Sequence, residues 1–259
     1  MNKDVKQNLS HSSKNTITEN IEAYAEKIYL EDSTGENFIE NIIHATNLPK
    51  LISRIHPGSL NKPILEMGFG EGTITTPLID SGCIVEIVEG SSKLCENAKE
   101  KYGDSVKVHC EFFENFNPAK KFQTILSLHV LEHVDNPIDV INKMFEWLKP
   151  GGQVIAVVPN SESLHRQLAV MMGLQLELNS LSPRDKIVGH QRVLSLDELS
   201  HLFQKSGFNI TEKFGYFLKT IPNSMMVNYS PDLIKALTNI SHKLNPNLMA
   251  NIGLVAIKP

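Results

Sequence analysis

The chain has 259 residues, 41% of them hydrophobic, with 25 Lys+Arg against 29 Asp+Glu, a formal charge of −4 and a pI near 6.2. That length suits one α/β domain with additions, and the acidic balance offers no broad basic field for phosphates, which argues against nucleic acid as a partner. Cys83, Cys95 and Cys110 are odd in number and form no CxxC pair, so neither a disulfide framework nor a cysteine zinc site is expected, and a reducing cytoplasm fits.

Residues 1–16 are polar and mixed in charge, without the apolar core of a secretion signal, and are expected to form a loose tail. Two helical patterns follow, over 18–29 and 38–55, and with their flanks make an N-terminal helical cap over 17–60. His56-Pro57-Gly58 closes that region, so the core is expected over 61–160. There strands over 63–67, 84–88, 106–110, 122–128 and 153–158 alternate with helices over 72–80, 91–102 and 137–148. Ser91 or Ser92 suits a cap for the second helix, and Lys149-Pro150-Gly151-Gly152 marks the end of the third. Residues 161–194 read as a lid or substrate insertion, helical around 164–172. The rest, 195–259, returns to the core with a helix over 195–206 behind the capping-box pattern Ser195-Leu196-Asp197-Glu198, a strand over 208–217, a second insertion around 218–249 with a helix over 230–243, and a last strand over 251–257. This alternation predicts an α/β, doubly wound, mostly parallel sheet with helices on both faces. No apolar run approaches membrane-spanning length, so no membrane partner is expected.

The most informative segment is Ile64-Leu65-Glu66-Met67-Gly68-Phe69-Gly70-Glu71-Gly72, a buried strand that breaks into three alternating glycines. Glycine there lets the backbone turn sharply and approach a ligand closely. A dinucleotide fingerprint uses similar chemistry, but its last glycine falls where Thr73 stands here. Glu66, just before the loop, would repel a pyrophosphate and attract a ligand carrying an ammonium group.

In an open parallel sheet, ligands collect beyond the carboxyl ends of the strands. After the second strand come Glu89-Gly90-Ser91, about twenty residues past the glycine loop, where a carboxylate can accept from a ribose diol. After the third come Glu111, Phe112 and Phe113, an acid beside aromatic rings that suit a purine. After the fourth come His129 and the run Val130-Leu131-Glu132-His133-Val134.

Four segments in register, Glu66-x-Gly68-x-Gly70-x-Gly72, Glu89-Gly90-Ser91, Val130-Leu131-Glu132-His133-Val134 and Leu148-Lys149-Pro150-Gly151-Gly152, make the chain resemble the class I, Rossmann-like S-adenosylmethionine-dependent methyltransferases, small-molecule type. The resemblance covers 61–158 closely and the remainder loosely. It implies a seven-stranded sheet whose last strand is antiparallel, and S-adenosyl-L-methionine as cofactor. It further implies a methionine moiety near Glu66, Gly68, Phe69, Gly70 and Gly72, a ribose on Glu89 with Gly90 and Ser91, an adenine near Glu111 and Phe112, and a wall at His129. Family members usually have Asp at the adenine position, where Glu111 stands.

Methyl transfer from a sulfonium needs an acceptor lone pair in line with the sulfur–carbon bond, so positioning supplies much of the acceleration. An oxygen acceptor wants a general base, and His190 and His165, in regions expected to cover the pocket, are the candidates. His133 reads as structural, and no spaced His-Glu-His cluster points to a metal. Tyr24 and Tyr29 can close over the cofactor or pack, and Met171, Met172, Met225 and Met226 can line an apolar acceptor pocket or pack. The expected reaction is methyl transfer to an oxygen or nitrogen of a small, partly apolar metabolite, with insertions that suit lids or homodimer contacts. Competing readings are methylation of a protein or tRNA, and a silent cofactor-binding module. Acidity argues against tRNA, and the lack of an Asn-Pro-Pro-aromatic sequence after the fourth strand argues against the usual exocyclic-amine methylators.

Overall fold

Alternate residues of the apolar strands point to opposite faces of one sheet, and helices cover both. The computed structural model describes residues 22, 23, 26, 37–55, 57–59 and 62–259. The tail, Tyr24, Tyr29 and most of the helix expected over 18–29 lie outside the described residues. Helix α1 (Asn37–Ser53) precedes β1 (Pro63–Met67), α2 (Thr75–Asp80), β2 (Ile84–Glu89), α3 (Ser92–Tyr102), β3 (Val106–Cys110), β4 (Phe122–Leu128), α4 (Pro137–Trp147) and β5 (Leu148–Pro159). Then come α5 (Leu164–Met171), α6 (Pro183–Ile187), α7 (Leu196–Lys205), β6 (Asn209–Tyr216), α8 (Asn223–Met226), α9 (Pro231–Ser241) and β7 (Asn251–Ile257).

The seven strands lie in the order β3-β2-β1-β4-β5-β7-β6. β7 runs antiparallel to both β5 and β6, and the other pairings are parallel. β6 therefore points the same way as β1 to β5, and six carboxyl ends share one edge. The chain reverses its winding between β1 and β4, the switch point where such sheets leave a crevice.

Leu65 and Met67 of β1, with Val154, Ala156 and Val158 of β5, pack on one face against Trp147 of α4 and Phe203 of α7. Ile64, Ile87, Ile155 and Val157 pack on the other against Ile39 and Ile43 of α1, Leu78 of α2 and Leu94 of α3. Each fully buried aliphatic or aromatic side chain contributes about 1.5–3 kcal/mol. α9 packs beside α1 on this second face.

Several boundaries move for physical reasons. α2 starts at Thr75 because Gly72 has φ +74°, a left-handed turn that cannot open a right-handed helix. β5 starts at Leu148: that residue pairs with Phe122, and the register then shifts before Gln153 pairs with Thr124. The Lys149–Gly152 run is thus an irregular stretch of strand, where Pro150 is tolerated. α6 and α8 are not anticipated by the pattern, being too short to show a helical period. α7 is capped as its sequence predicts, with Ser195 and Glu198 each accepting from the other's backbone N–H.

Candidate functional site

A cleft of about 2050 Å³ opens along the edge carrying the carboxyl ends, bounded by the glycine loop, the loops after β2, β3 and β4, the segment from α5 to His190, and α1. Its two sides are built differently.

On one side the backbone does most of the shaping. Gly68, Gly70 and Gly72 all have positive φ, at +76°, +55° and +74°. Gly72 is buried beneath the loop, where a Cβ would stand 2.6 Å from Tyr102 Oη and 2.8 Å from the Phe69 ring. Glu89, 8% exposed, ties the loop to β2: one carboxylate oxygen accepts from Phe69 N (2.9 Å) and the other from Ser91 N (2.8 Å). A carboxylate has about four lone-pair sites, so both oxygens can still accept from a ligand hydroxyl. Burial pushes the Glu89 carboxyl up, and the backbone N–H groups partly offset it. Glu66 accepts from Thr75 Oγ1 at 2.7 Å. Burial drives its pKa up, the Thr75 bond only partly opposes this, and the neighbouring Glu89 adds to it, leaving it at about 8. A buried, largely protonated carboxyl beside a second acid is a place where a cation would be welcome. Ser91 caps α3 by accepting from Leu94 N, and its hydroxyl donates to Glu22 (2.8 Å), which also accepts from Ser92 N. The Phe112 ring lies over Gly90, where a Cβ would meet it at 3.2 Å.

On the other side, side chains from distant segments meet. His129 follows β4 with φ +58°, one of two described non-glycine residues at positive φ, and its N–H donates to Val157 O (2.9 Å). Such backbone conformations gather at functional sites. Its Nδ1 lies 3.1 Å from Glu132 Oε1 and its Nε2 3.2 Å from Tyr216 Oη. With Nδ1–H donating to the carboxylate, Nε2 accepts from the tyrosine, which makes a chain Tyr216–His129–Glu132. Burial opposes charge on His129, but Glu132 outweighs it and the pKa moves up. Burial likewise opposes charge on Glu132, and His129, His133 and His190 together hold its carboxyl below the usual range. Burial raises Tyr216, which stays a phenol. His44 of α1 stands edge-on to His129, ring centroids 5.7 Å apart, and burial lowers its pKa to about 4.

His190 is reached through the insertion. Arg166 of α5 donates to Asp185 Oδ2 (2.6 Å), Ser182 and Asp185 form the capping box of α6, and Asp185 Oδ1 lies 2.9 Å from His190 Nδ1. The stretch 189–192 is fastened to the loop after β4: Gln191 N donates to Glu132 O (2.8 Å), Gln191 Nε2 to His133 O (2.7 Å), and Arg192 to the carbonyls of Leu131, Val134 and Asp135. His133 and His190 therefore stack edge to face at 4.8 Å.

Of the residues expected at the cofactor, Glu66, Gly68, Phe69, Gly70, Glu89, Gly90, Ser91, Phe112 and His129 line the cleft. Gly72 and Glu111 are not among its lining residues; Glu114 and Asn115 are, beyond the aromatic pair. His190 and His165 both line it. His165 is a poor proton acceptor, since burial and the neighbouring cations Lys219 and Arg166 push its pKa down to about 2. Of the four methionines, Met172 and Met225 line the cleft, Met171 is 81% exposed, and Met226 is buried in the core. Sequence reasoning missed Tyr216, although it ends a strand on the ligand edge and the strand-end rule reaches it. It also missed Glu40, His44 and Asn47, whose helical spacing on α1 puts three polar side chains on one cleft-lining stripe. No described helix is long and apolar enough to cross a membrane.

A family model described as a methyltransferase domain matches residues 40–213. A malonyl-[acyl-carrier protein] O-methyltransferase of Ilyobacter polytropus is 24% identical over 196 residues, 74% of this chain and 69% of that protein. A ubiquinone biosynthesis O-methyltransferase of Nitrobacter winogradskyi is 28% identical over 177 residues, 64% of this chain and 66% of that protein. Among solved structures, an S-adenosylmethionine-dependent methyltransferase from Thermotoga maritima, described as a possible histamine N-methyltransferase, superposes with a TM-score of 0.65 at 18% identity, covering 91% of this chain and 98% of that one.

Proposed function

We propose, from the premise that this chain belongs to the methyltransferase-domain family and transfers the methyl of S-adenosylmethionine, that its acceptor is an oxygen or nitrogen of a small, partly apolar metabolite. The observation that carries this reading is the composition of the acceptor side. Its inner part holds the Tyr216–His129–Glu132 chain, while Leu168, Met172, Leu174, Leu176 and Met225 line the outer part. Leu176 is 93% exposed and Leu174 74%, an apolar rim that a soluble protein covers when a partly apolar molecule enters. An acceptor fitting both parts has a polar nucleophile at one end and an apolar body.

The donor is assigned residue by residue. Glu66 and the backbone of Gly68, Phe69 and Gly70 hold the methionine end, where the ammonium offsets the buried acids. Glu89 and Gly90 hold the ribose, and Phe112 covers the adenine. Ser91 supports them as the cap of α3. On the acceptor side, the nucleophile's proton passes to Tyr216 Oη as that hydroxyl's own proton moves to His129 Nε2. Two named O-methyltransferase relatives favour oxygen as the accepting atom.

The test is incubation with methyl-labelled cofactor and fractionated extract. Label in a low-mass, partly apolar product supports the reading. Label confined to protein or RNA overturns it.

A further inference from the structure

Beneath the acceptor side, Glu132, His133 and His190 each present one ligand atom, and these atoms all lie within 4.8 Å of one another. We propose that these three side chains bind a divalent transition-metal ion between the loop after β4 and the segment before α7. The sequence spacing argues against a metal because the third ligand stands far along the chain, and only the fold brings it in.

Three observations support a built site. Glu132 is 1% exposed, and its Oε2 is buried with no hydrogen-bond partner among the described residues, a carboxylate oxygen left over after Oε1 has engaged His129. An orphaned charged oxygen in the interior is costly, and a cation removes that cost. Next, His190 carries the outer contact that orients a metal ligand, its Nδ1 2.9 Å from Asp185 Oδ1, and the His133 ring stands beside Gly189 of the same segment. A second hydrogen bond of this kind fixes the tautomer and aims the remaining nitrogen. Indeed His190 Nε2 faces Glu132, 4.0 Å from Oε1. Finally, the two segments are locked by the Gln191 and Arg192 hydrogen bonds to the 131–135 carbonyls, so the ligands are held before an ion arrives.

Size and chemistry are compatible. Ligands on one tetrahedral ion stand about 3.4 Å apart, so this set, spread over as much as 4.8 Å, closes by side-chain shifts of about an ångström. Two imidazoles and one carboxylate select Mn, Fe, Co, Ni or Zn over Ca or Mg, and leave coordination positions open. His133 and His190 line the cleft, so an acceptor oxygen can fill an open position. That last role rests on the acceptor reading above; binding of the ion does not.

Tag-free protein, stripped with chelator, is titrated with Co²⁺ while visible absorption is recorded. One equivalent should develop a d–d band, and His190→Ala and His133→Gln should each weaken Co²⁺ binding at least tenfold. Calorimetry with S-adenosylmethionine serves as the folding control and should change less than about twofold. The proposal is overturned if folded wild type develops no band, or if the band survives in the His133→Gln/His190→Ala double variant. If Co²⁺ binds as expected but only macromolecules become labelled, the metal site stands and the acceptor reading falls.

Discussion

The two sides of the cleft are assembled by different means. The proposed donor side is local: the glycine loop, the end of β2 and the start of α3 meet through backbone amides, with Glu89 as the pin between Phe69 N and Ser91 N. The proposed acceptor side is remote, with Glu40 and His44 from α1, His129, Glu132 and His133 after β4, Arg166, Asp185 and His190 from the insertion, and Tyr216 from the end of β6. On that proposal, donor recognition depends on where the chain can turn, whereas acceptor chemistry depends on side chains that a different insertion would replace. One domain can keep its cofactor while changing what it methylates.

If that division is right, substitutions on the two sides separate binding from turnover. The largest effect is expected for His129→Ala, which removes the centre of the Tyr216–His129–Glu132 chain. Turnover should fall about a thousandfold with cofactor affinity little changed, measured by steady-state kinetics beside calorimetry. An equal loss in both would make His129 a cofactor contact first. Glu89→Ala should weaken cofactor binding about a hundredfold, because it deletes the proposed ribose acceptor and releases the Phe69 amide; unchanged affinity would remove Glu89 from the site. Asp185→Asn keeps the shape but loses the charge that orients His190, so turnover should drop about tenfold, with Arg166 left facing a neutral partner.

The smallest effect is a proton count. Glu66 sits at about 8 without ligand, so it is mostly protonated at pH 7. A bound ammonium favours the carboxylate and lowers that pKa. Cofactor binding should then release up to one proton below pH 8 and none well above it, and affinity should rise with pH up to about 8. Calorimetry in buffers of different ionisation enthalpy reads the release; no proton movement at pH 7 would place the cation elsewhere.

The same division explains what the sequence made legible. The strands 63–67, 106–110, 122–128 and 251–257 read true to the residue, since short apolar runs bounded by turn formers leave few alternatives. The glycine loop was readable because only glycine meets three positive φ values in five residues. Gly72 was readable as a necessity but not as packing, for nothing nearby in sequence announces that Tyr102 comes in from α3 to fill, with Phe69, the space above it. Glu132 and His133 looked like parts of a motif. Their chemistry comes from His190, 57 positions beyond His133, delivered by Arg166, Asp185 and the short helix α6. Long-range side-chain meetings leave no periodicity to read.

The division itself is tested most directly by titrating Gly70→Val and His190→Ala with S-adenosylmethionine in parallel. Gly70 has φ +55°, where a β-branched side chain is strained, and the backbone must distort or the loop must open. Gly70→Val should raise Kd about thirtyfold or more while His190→Ala binds within about twofold of wild type. Undiminished binding by Gly70→Val, or loss of binding by a folded His190→Ala, would contradict it.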